Sequence, residues 1–205
     1  LKLVETYRKY LQENNWIRFE KFNHKDILFE NTSLKYHSLE AAKVIFCEGF
    51  GLKKNPYFNH LPLEEVKGEI ITILAPELEI DFLLKSTLFV LPLGNNHYKV
   101  GATFNHKDKT SIPSKEGKEE LIEKLKKVIT VPYSIVEQSA GIRPAVKDRR
   151  PMVGVHAKHK QLSVLNGLGT RGVMIAPTVA KNLFHHIEFG QELDNEIDIK
   201  RFDKK

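Results

Sequence analysis

The hydrophobic pattern changes character three times along the chain. Over residues 1–15, Val4, Tyr7 and Leu11 recur at helical spacing, and Trp16 to Phe22 then alternates as a strand does. Asp26 to Glu30 and Leu34 to Leu39 read as a short strand pair. Val44 to Cys47 is an unbroken apolar run, the pattern of a buried parallel strand covered on both faces. From Val66 the texture becomes antiparallel. Val66 to Leu74 and Thr87 to Leu93 are rich in β-branched and large apolar residues, and Gly94-Asn95-Asn96 is turn chemistry leading into His97 to Thr103. Ser114 is placed to cap a helix running to about Ile129, with Leu121, Ile122, Leu125 and Val128 on one face. Tyr133 to Ser139 returns as a strand that delivers Gly141 and Arg143 to a bend fixed by Pro144. Met152 to Val155 and Leu162 to Leu165 form a second strand pair around a turn at residues 156–160. A glycine-rich turn then opens a helix with Val173, Ala176, Ala180, Leu183 and Ile187 expected on one face, disturbed early by Pro177.

Composition narrows the classes. With 205 residues, 41% of them apolar and 28% charged, the chain can bury a core. Its longest apolar runs are far too short to cross a bilayer, and no basic-then-apolar leader pattern opens it, so a cytoplasmic location is expected. The formal net charge of +6 raises the question of nucleic acid. Most cations alternate with acids, as at Lys115-Glu116 and Glu123-Lys124, which is the look of a solvated helix face, and tRNA or another polyanion stays only a minor alternative, resting on the cluster of Lys147, Arg149 and Arg150. Cys47, the single cysteine, cannot form an intramolecular disulfide and is expected to be a buried, inert thiol. Nine histidines offer no metal-ligand spacing, and no glycine-flanked serine nucleophile is present; neither a metal site nor a catalytic side chain is assigned.

Gly167-Leu168-Gly169-Thr170-Arg171-Gly172 fits a dinucleotide-binding turn after the strand-like run Leu162 to Asn166. A dinucleotide fold needs a further parallel strand with an acidic residue about 20 positions on. Only residues 191–205 follow the helix here, which argues against that reading. Arg143 carries a planar cationic fork suited to a carboxylate. Taken alone it reads more readily as a surface arginine paired with Asp148 or Glu137. Tyr98 and Phe104 are candidates for a pocket wall or for the core, since the pattern does not say which sheet face they occupy.

Gly141-Ile142-Arg143-Pro144, then Asp148, Pro151 and Gly154, then Asn166 through Gly172 and Ala176-Pro177, resemble the C-terminal part of the glycine oxidase, D-amino-acid oxidase and sarcosine oxidase family of FAD enzymes. Val44 to Gly49 resembles that family's strand ending near the flavin nucleotide, and Leu61-Pro62-Leu63 with Val66-Lys67-Gly68-Glu69 resembles the entry to its substrate domain. The resemblance implies an α/β (α+β) fold: a mixed, largely antiparallel substrate-domain sheet with helices, plus the C-terminal part of a split FAD-binding domain. It divides the chain into residues 1–51, 52–140 and 141–205. It implies noncovalent FAD, since no cysteine lies between Arg143 and Gly172. It assigns Gly49, Gly167, Gly169, Thr170, Arg171, Gly172 and Val173 to the cofactor, and Arg143 to the carboxylate of a small amine or amino-acid substrate, with Tyr98 beside it. Residues 1–51 contain no ADP-binding glycine turn. The expectation is therefore an oxidoreductase forming an imine, represented by its C-terminal half, with the rest of the enzyme as its partner and weak FAD binding by this chain alone. A non-catalytic ligand-binding or interaction domain is the alternative.

Overall fold

The computed structural model describes residues 2–203, which separate into two compact units, one ending at Ala42 and one beginning at Lys43. In the first, α1 (Lys2–Glu13) precedes a sheet of three short antiparallel strands, β1 (Ile27–Phe29), β2 (Leu34–Tyr36) and β3 (Leu39–Ala41). The third strand extends the expected pair. Trp16 to Phe22 does not form a strand, despite its alternation. Trp16 and Phe19 are both more than 60% exposed, so alternation found no sheet face to bury against. Phe22 instead stacks on Tyr36, with ring centroids 4.3 Å apart, and the Asn23 amide donates to the Tyr36 hydroxyl at 3.1 Å.

The second unit holds two sheets. β4 (Val44–Phe46) runs parallel to β11 (Leu162–Asn166), which pairs antiparallel with β10 (Met152–Val155). The expected parallel strand at residue 44 is present, but its surroundings differ from expectation. Pleating buries Phe46 and turns Ile45 outward, and Cys47, just past the strand end, is exposed. The expectation of a buried thiol is therefore corrected, while the thiol's pKa is raised, by desolvation first and then by Glu48.

The larger sheet has the order β6 (Leu84–Lys85), β7 (Phe89–Gly94), β8 (His97–Gly101), β5 (Leu63–Leu74), β9 (Ser134–Val146). The turn joining β7 to β8 is where the pattern placed it. Asn95 and Asn96 both adopt positive φ, 51° and 59°, the geometry of a type I′ hairpin turn that asparagine tolerates. β9 is longer than expected. It continues through Arg143 and Pro144 to Val146, so the proline fixes no bend; on an edge strand its missing N–H costs no ladder bond.

Helix α2 (Lys115–Leu125) starts where Ser114 accepts the Gly117 amide at 3.0 Å, and it packs Leu121 and Leu125 on Ile71, Ile73, Val90 and Val100 of the sheet. Along β5, odd-numbered residues face α2 and even-numbered residues face away from it; this parity sets where the site lies. Helix α3 (Gly172–Phe189) ends at Gly190, whose φ of 69° gives the left-handed cap. Its buried stripe is Ile175, Val179, Leu183 and Ile187, packed with Val153 and Leu193. That corrects the expected face: Val173 is 67% exposed, and Ala180 is exposed too. The i, i+4 row through Ile175 carries four β-branched or leucine side chains toward Val153 of β10, whereas the row through Ala176 and Ala180 begins with small methyl groups and ends at Phe184, which is exposed. Among the described residues no helix is long and apolar enough to cross a membrane.

Candidate active-site cleft

The even-numbered face of β5 and the matching face of β9 form a floor. Cross-strand pairs Glu64 with Ala145 and Val66 with Arg143 lie side by side on it. Phe104 and His106, from the loop after β8, make one wall, and residues 167–171 make the opposite one. Together they enclose a cleft of about 600 Å³, within the size range of small-molecule sites.

Arg143 is half-buried on this floor. Its guanidinium crosses the bare backbone of Gly68, the diagonal neighbour on β5, and lies 4.5 Å from the centre of the Phe104 ring. One nitrogen donates to the Thr103 carbonyl at 3.2 Å. Burial pulls its pKa below the ordinary arginine value, though a guanidinium stays charged in proteins. The two carboxylates that could have neutralised it are engaged elsewhere. Asp148 pairs with Arg201 at 3.0 Å, and Glu137 accepts from the Thr72 hydroxyl at 3.2 Å. Among the described residues no carboxylate lies in ion-pairing range of Arg143. A half-desolvated cation stacked on an aromatic ring, with donors left over and no anion, is arranged to receive one.

The glycine wall is built from β11. Asn166 donates to the Gly49 carbonyl at 2.9 Å and accepts the Gly167 amide at 2.8 Å, tying the turn to the end of the first parallel strand. Gly49, Gly167 and Gly169 have φ of 57°, 70° and 58°, values that side chains other than asparagine seldom adopt. A Cβ at Gly167 would come within 2.5 Å of Val146, so that glycine serves close packing. A Cβ at Gly169 would meet no atom within 4 Å and would project into open space. From Gly172 the amides of the first turn of α3 follow directly.

The structure thus brings Arg143, Gly167, Gly169, Thr170 and Arg171 to one cleft. Gly172 opens α3 behind that wall, Val173 sits exposed on its first turn, and Gly49 supports the turn through Asn166. Tyr98 is not brought there. It pairs with Ile73 on the α2 side of the sheet, is buried in the core, and donates its hydroxyl to the Leu78 carbonyl. Strand parity decides the matter, and Phe104, past the end of β8, takes the wall position instead.

Sequence reasoning missed the clasp beneath the Phe104 wall. Lys67 is almost fully buried on the α2 face; its ammonium lies 2.5 Å from Asp108 and from the Ile112 carbonyl, and 3.4 Å from Glu69. Its backbone exchanges both hydrogen bonds with Asn105, each at 2.9 Å, which fixes the segment between Phe104 and His106. Lys67 holds the Asp108 carboxyl down at about 2, with the amide and hydroxyl of Thr110 adding to the effect. Burial works to raise Glu69, but the Ser114 hydroxyl and amide, Gln138 and Lys67 together hold it below its ordinary value. The signal in the sequence was faint, because Lys67 and Glu69 follow Glu64 and Glu65 in the charged half of β5 and nothing in that pattern marks them as buried.

A profile of the family described as FAD dependent oxidoreductase matches residues 2–185. The chain belongs to that family. It is 30% identical over 161 residues to the tRNA 5-methylaminomethyl-2-thiouridine biosynthesis bifunctional protein MnmC of Idiomarina loihiensis, covering 73% of this chain and 26% of that protein. It is 25% identical over 134 residues to the glycine oxidase of Bacillus subtilis, covering 62% of this chain and 36% of that enzyme. Among solved structures, the L-proline dehydrogenase of P.horikoshii shares the fold with a TM-score of 0.71 at 17% identity, over 86% of this chain and 52% of that one. The chain therefore spans between about a quarter and about half of the length of these relatives.

FAD is the cofactor of this family, and the wall fits one. Gly169, at positive φ, leaves a cradle that a Cβ would fill, while the Gly167 amide is held by Asn166 and so fixes the turn beside it. Thr170 and Arg171 border the same space. The second unit's mixed α/β sheets, one antiparallel and one mixed parallel, carry the fold these flavoenzymes share.

Proposed function

We propose that this chain supplies the substrate-facing part of an enzyme that oxidises a small amine or amino acid to an imine. The observation that carries the reading is Arg143: a half-buried cation without a carboxylate partner, set in the same cleft as the glycine wall. Bound there, FAD would supply the acceptor for the hydride of the amine C–H bond, that is, for its proton together with both electrons. The chain's own residues would position the substrate. Arg143 would grip a carboxylate through its free donors, Phe104 would hold the guanidinium plane, and Val66 and Ala145 would exclude water from the apolar part of the substrate. No side-chain base is required of the chain, because a neutral amine needs orientation more than proton abstraction.

Arg143→Leu in the flavin-loaded protein tests this. Removing the fork leaves a carboxylate without its partner and costs about 2 to 5 kcal/mol in transition-state binding. Steady-state kinetics over a panel of amino acids, with flavin absorbance as a control, gives the answer. An unchanged specificity constant would overturn the clamp. Absence of visible flavin absorbance in the full-length protein would favour a non-catalytic binding domain.

A second reading has its own observation. Lys147, Arg149 and Arg171 ring the cleft, against the single carboxylate of Glu64. A substrate amine borne on tRNA, as the name of the Idiomarina relative suggests for that protein, would meet these cations through its phosphates. Turnover falling steeply with salt would support it; turnover of free amino acids that ignores salt would support the small-substrate reading.

A further inference from the structure

β10 and β11 have two ends, and only one belongs to the cleft. Met152 pairs with Asn166 at the glycine-turn end, and Val155 pairs with Ser163 at the other, roughly 10 Å away at strand rise. At that far end a second pocket of about 390 Å³ opens, sharing no lining residue with the first. Its walls are apolar at Phe58, Leu61, Val155 and Ile199, while His60, His156, His186, Lys160 and Lys200 bring nitrogen to it, against one carboxylate at Asp203.

The nitrogens are not interchangeable. His156 Nδ1 accepts from the amides of Lys158 at 3.2 Å and His159 at 3.0 Å, so its proton is confined to Nε2 and the ring is a fixed donor. Its ring also stands edge-on to Phe58 with centroids 5.3 Å apart, which locks its orientation. His186 Nδ1 lies 2.7 Å from the Gln191 carbonyl, which can only accept, so that nitrogen carries a proton as well. Burial first, then the cationic neighbours, lowers the pKa of His156. Lys160 and Lys200 stand at the exposed rim. Lys200 lies 3.6 Å from Asp198, and among the described residues Lys160 has no carboxylate within ion-pairing range.

We propose that this pocket binds a small phosphate monoester, with the phosphate between Lys160, Lys200 and His156 and an apolar body against Val155 and Ala157, the accessible apolar part of the lining. Ammonium groups act as point charges that suit a phosphate, and the pocket lacks the guanidinium fork that would select a planar carboxylate. The apolar wall beside the donors demands a ligand with a hydrophobic part as well as an anion. This assignment does not depend on the reading of the Arg143 cleft.

Phenyl phosphate is the probe. Titrated into the full chain and followed by amide and imidazole NMR shifts, it should saturate and perturb residues 58–61, 155–160 and 199–203. Inorganic phosphate, without the body, and benzoate, without the second charge, should both bind more weakly. The double variant Lys160→Gln, Lys200→Gln, which alters only exposed side chains, should weaken phenyl phosphate about tenfold, the scale of two solvent-exposed ion pairs. Ala157→Asp, placing a carboxylate on the lining, should weaken it by an independent route. Shifts centred on Arg143, Lys147 and Arg149, unsaturable shifts, benzoate binding as tightly as phenyl phosphate, or unchanged affinity in both variants would each overturn the assignment.

Discussion

The guanidinium of Arg143 occupies the volume that a side chain at Gly68 would take: a Cβ built there coincides with it. The two residues are diagonal neighbours on adjacent strands, since Arg143 pairs with Val66 and Gly68 with Gly141. Gly68 has no need of unusual backbone angles. Its role is to leave room, so the orientation of the fork depends on an absent methyl group one strand away.

Gly68→Ala should therefore behave as a weakened Arg143 variant. The expected result is a specificity constant on carboxylate substrates reduced by about 1 to 3 kcal/mol, with flavin retained, because the fork is displaced and not removed. Gly141→Ala is the matched control. It is the direct cross-strand partner of Gly68, and a Cβ there meets nothing within 4 Å. Steady-state kinetics of the two variants should separate them; equal effects would mean that the sheet, not the arginine, was disturbed.

Much of this arrangement could be read along the chain, and the failures share a cause. The Asn95-Asn96 hairpin, the Ser114 cap and the strand-turn-helix at residues 162–189 follow from local chemistry, so they were legible. Tyr98, Cys47 and the face of α3 were misplaced because each depends on which side of a pleat or helix a neighbouring element covers, and that is tertiary information. The pairing of Arg143 with the glycine turn was legible only through family resemblance. Gly68 gave no signal, since its meaning lies in a side chain 75 positions away.

Ser114 joins two systems. Its hydroxyl accepts from the Gly117 amide and donates to Glu69 at 2.6 Å. Ser114→Ala should cost about 1 to 2 kcal/mol of stability, the usual loss of a helix cap. At most N-caps aspartate replaces serine without loss, but Ser114→Asp would set a second carboxylate against buried Glu69. Thermal unfolding should therefore rank serine above alanine above aspartate. An aspartate variant as stable as the parent would show that Glu69 is not held in this way.

Asp108 gives the fold an acid-sensitive clasp. Lys67 holds its carboxyl at about 2, against an ordinary value of 3.8. The unfolded chain takes up that proton first, so the contribution of Asp108 is complete above the ordinary value. It shrinks as pH falls toward about 2 and is gone below it. Asp108→Asn should lower Tm near neutrality, where Lys67 loses the nearer of its two anionic partners, and the two proteins should converge as pH falls through that window. Parallel Tm curves across the same range would place the acid sensitivity elsewhere.

Gly169 provides the sharpest test of the flavin wall. It differs from Gly167 in what surrounds it: at Gly167 a Cβ would strike Val146, so substitution there damages packing, whereas at Gly169 the space is open and only the left-handed φ of 58° and the cradle itself are at stake. Gly169→Asn keeps that φ at little cost but fills the cradle; Gly169→Val fills it and resists the φ as well. If backbone amides at this turn stabilise the negative charge of the reduced cofactor, both variants should lower the flavin midpoint potential or lose flavin, with valine the more severe, while asparagine leaves thermal stability nearly unchanged. Potentiometry beside thermal unfolding distinguishes the two effects. A normal potential with flavin bound in Gly169→Asn would return the residue to the role of an ordinary turn glycine.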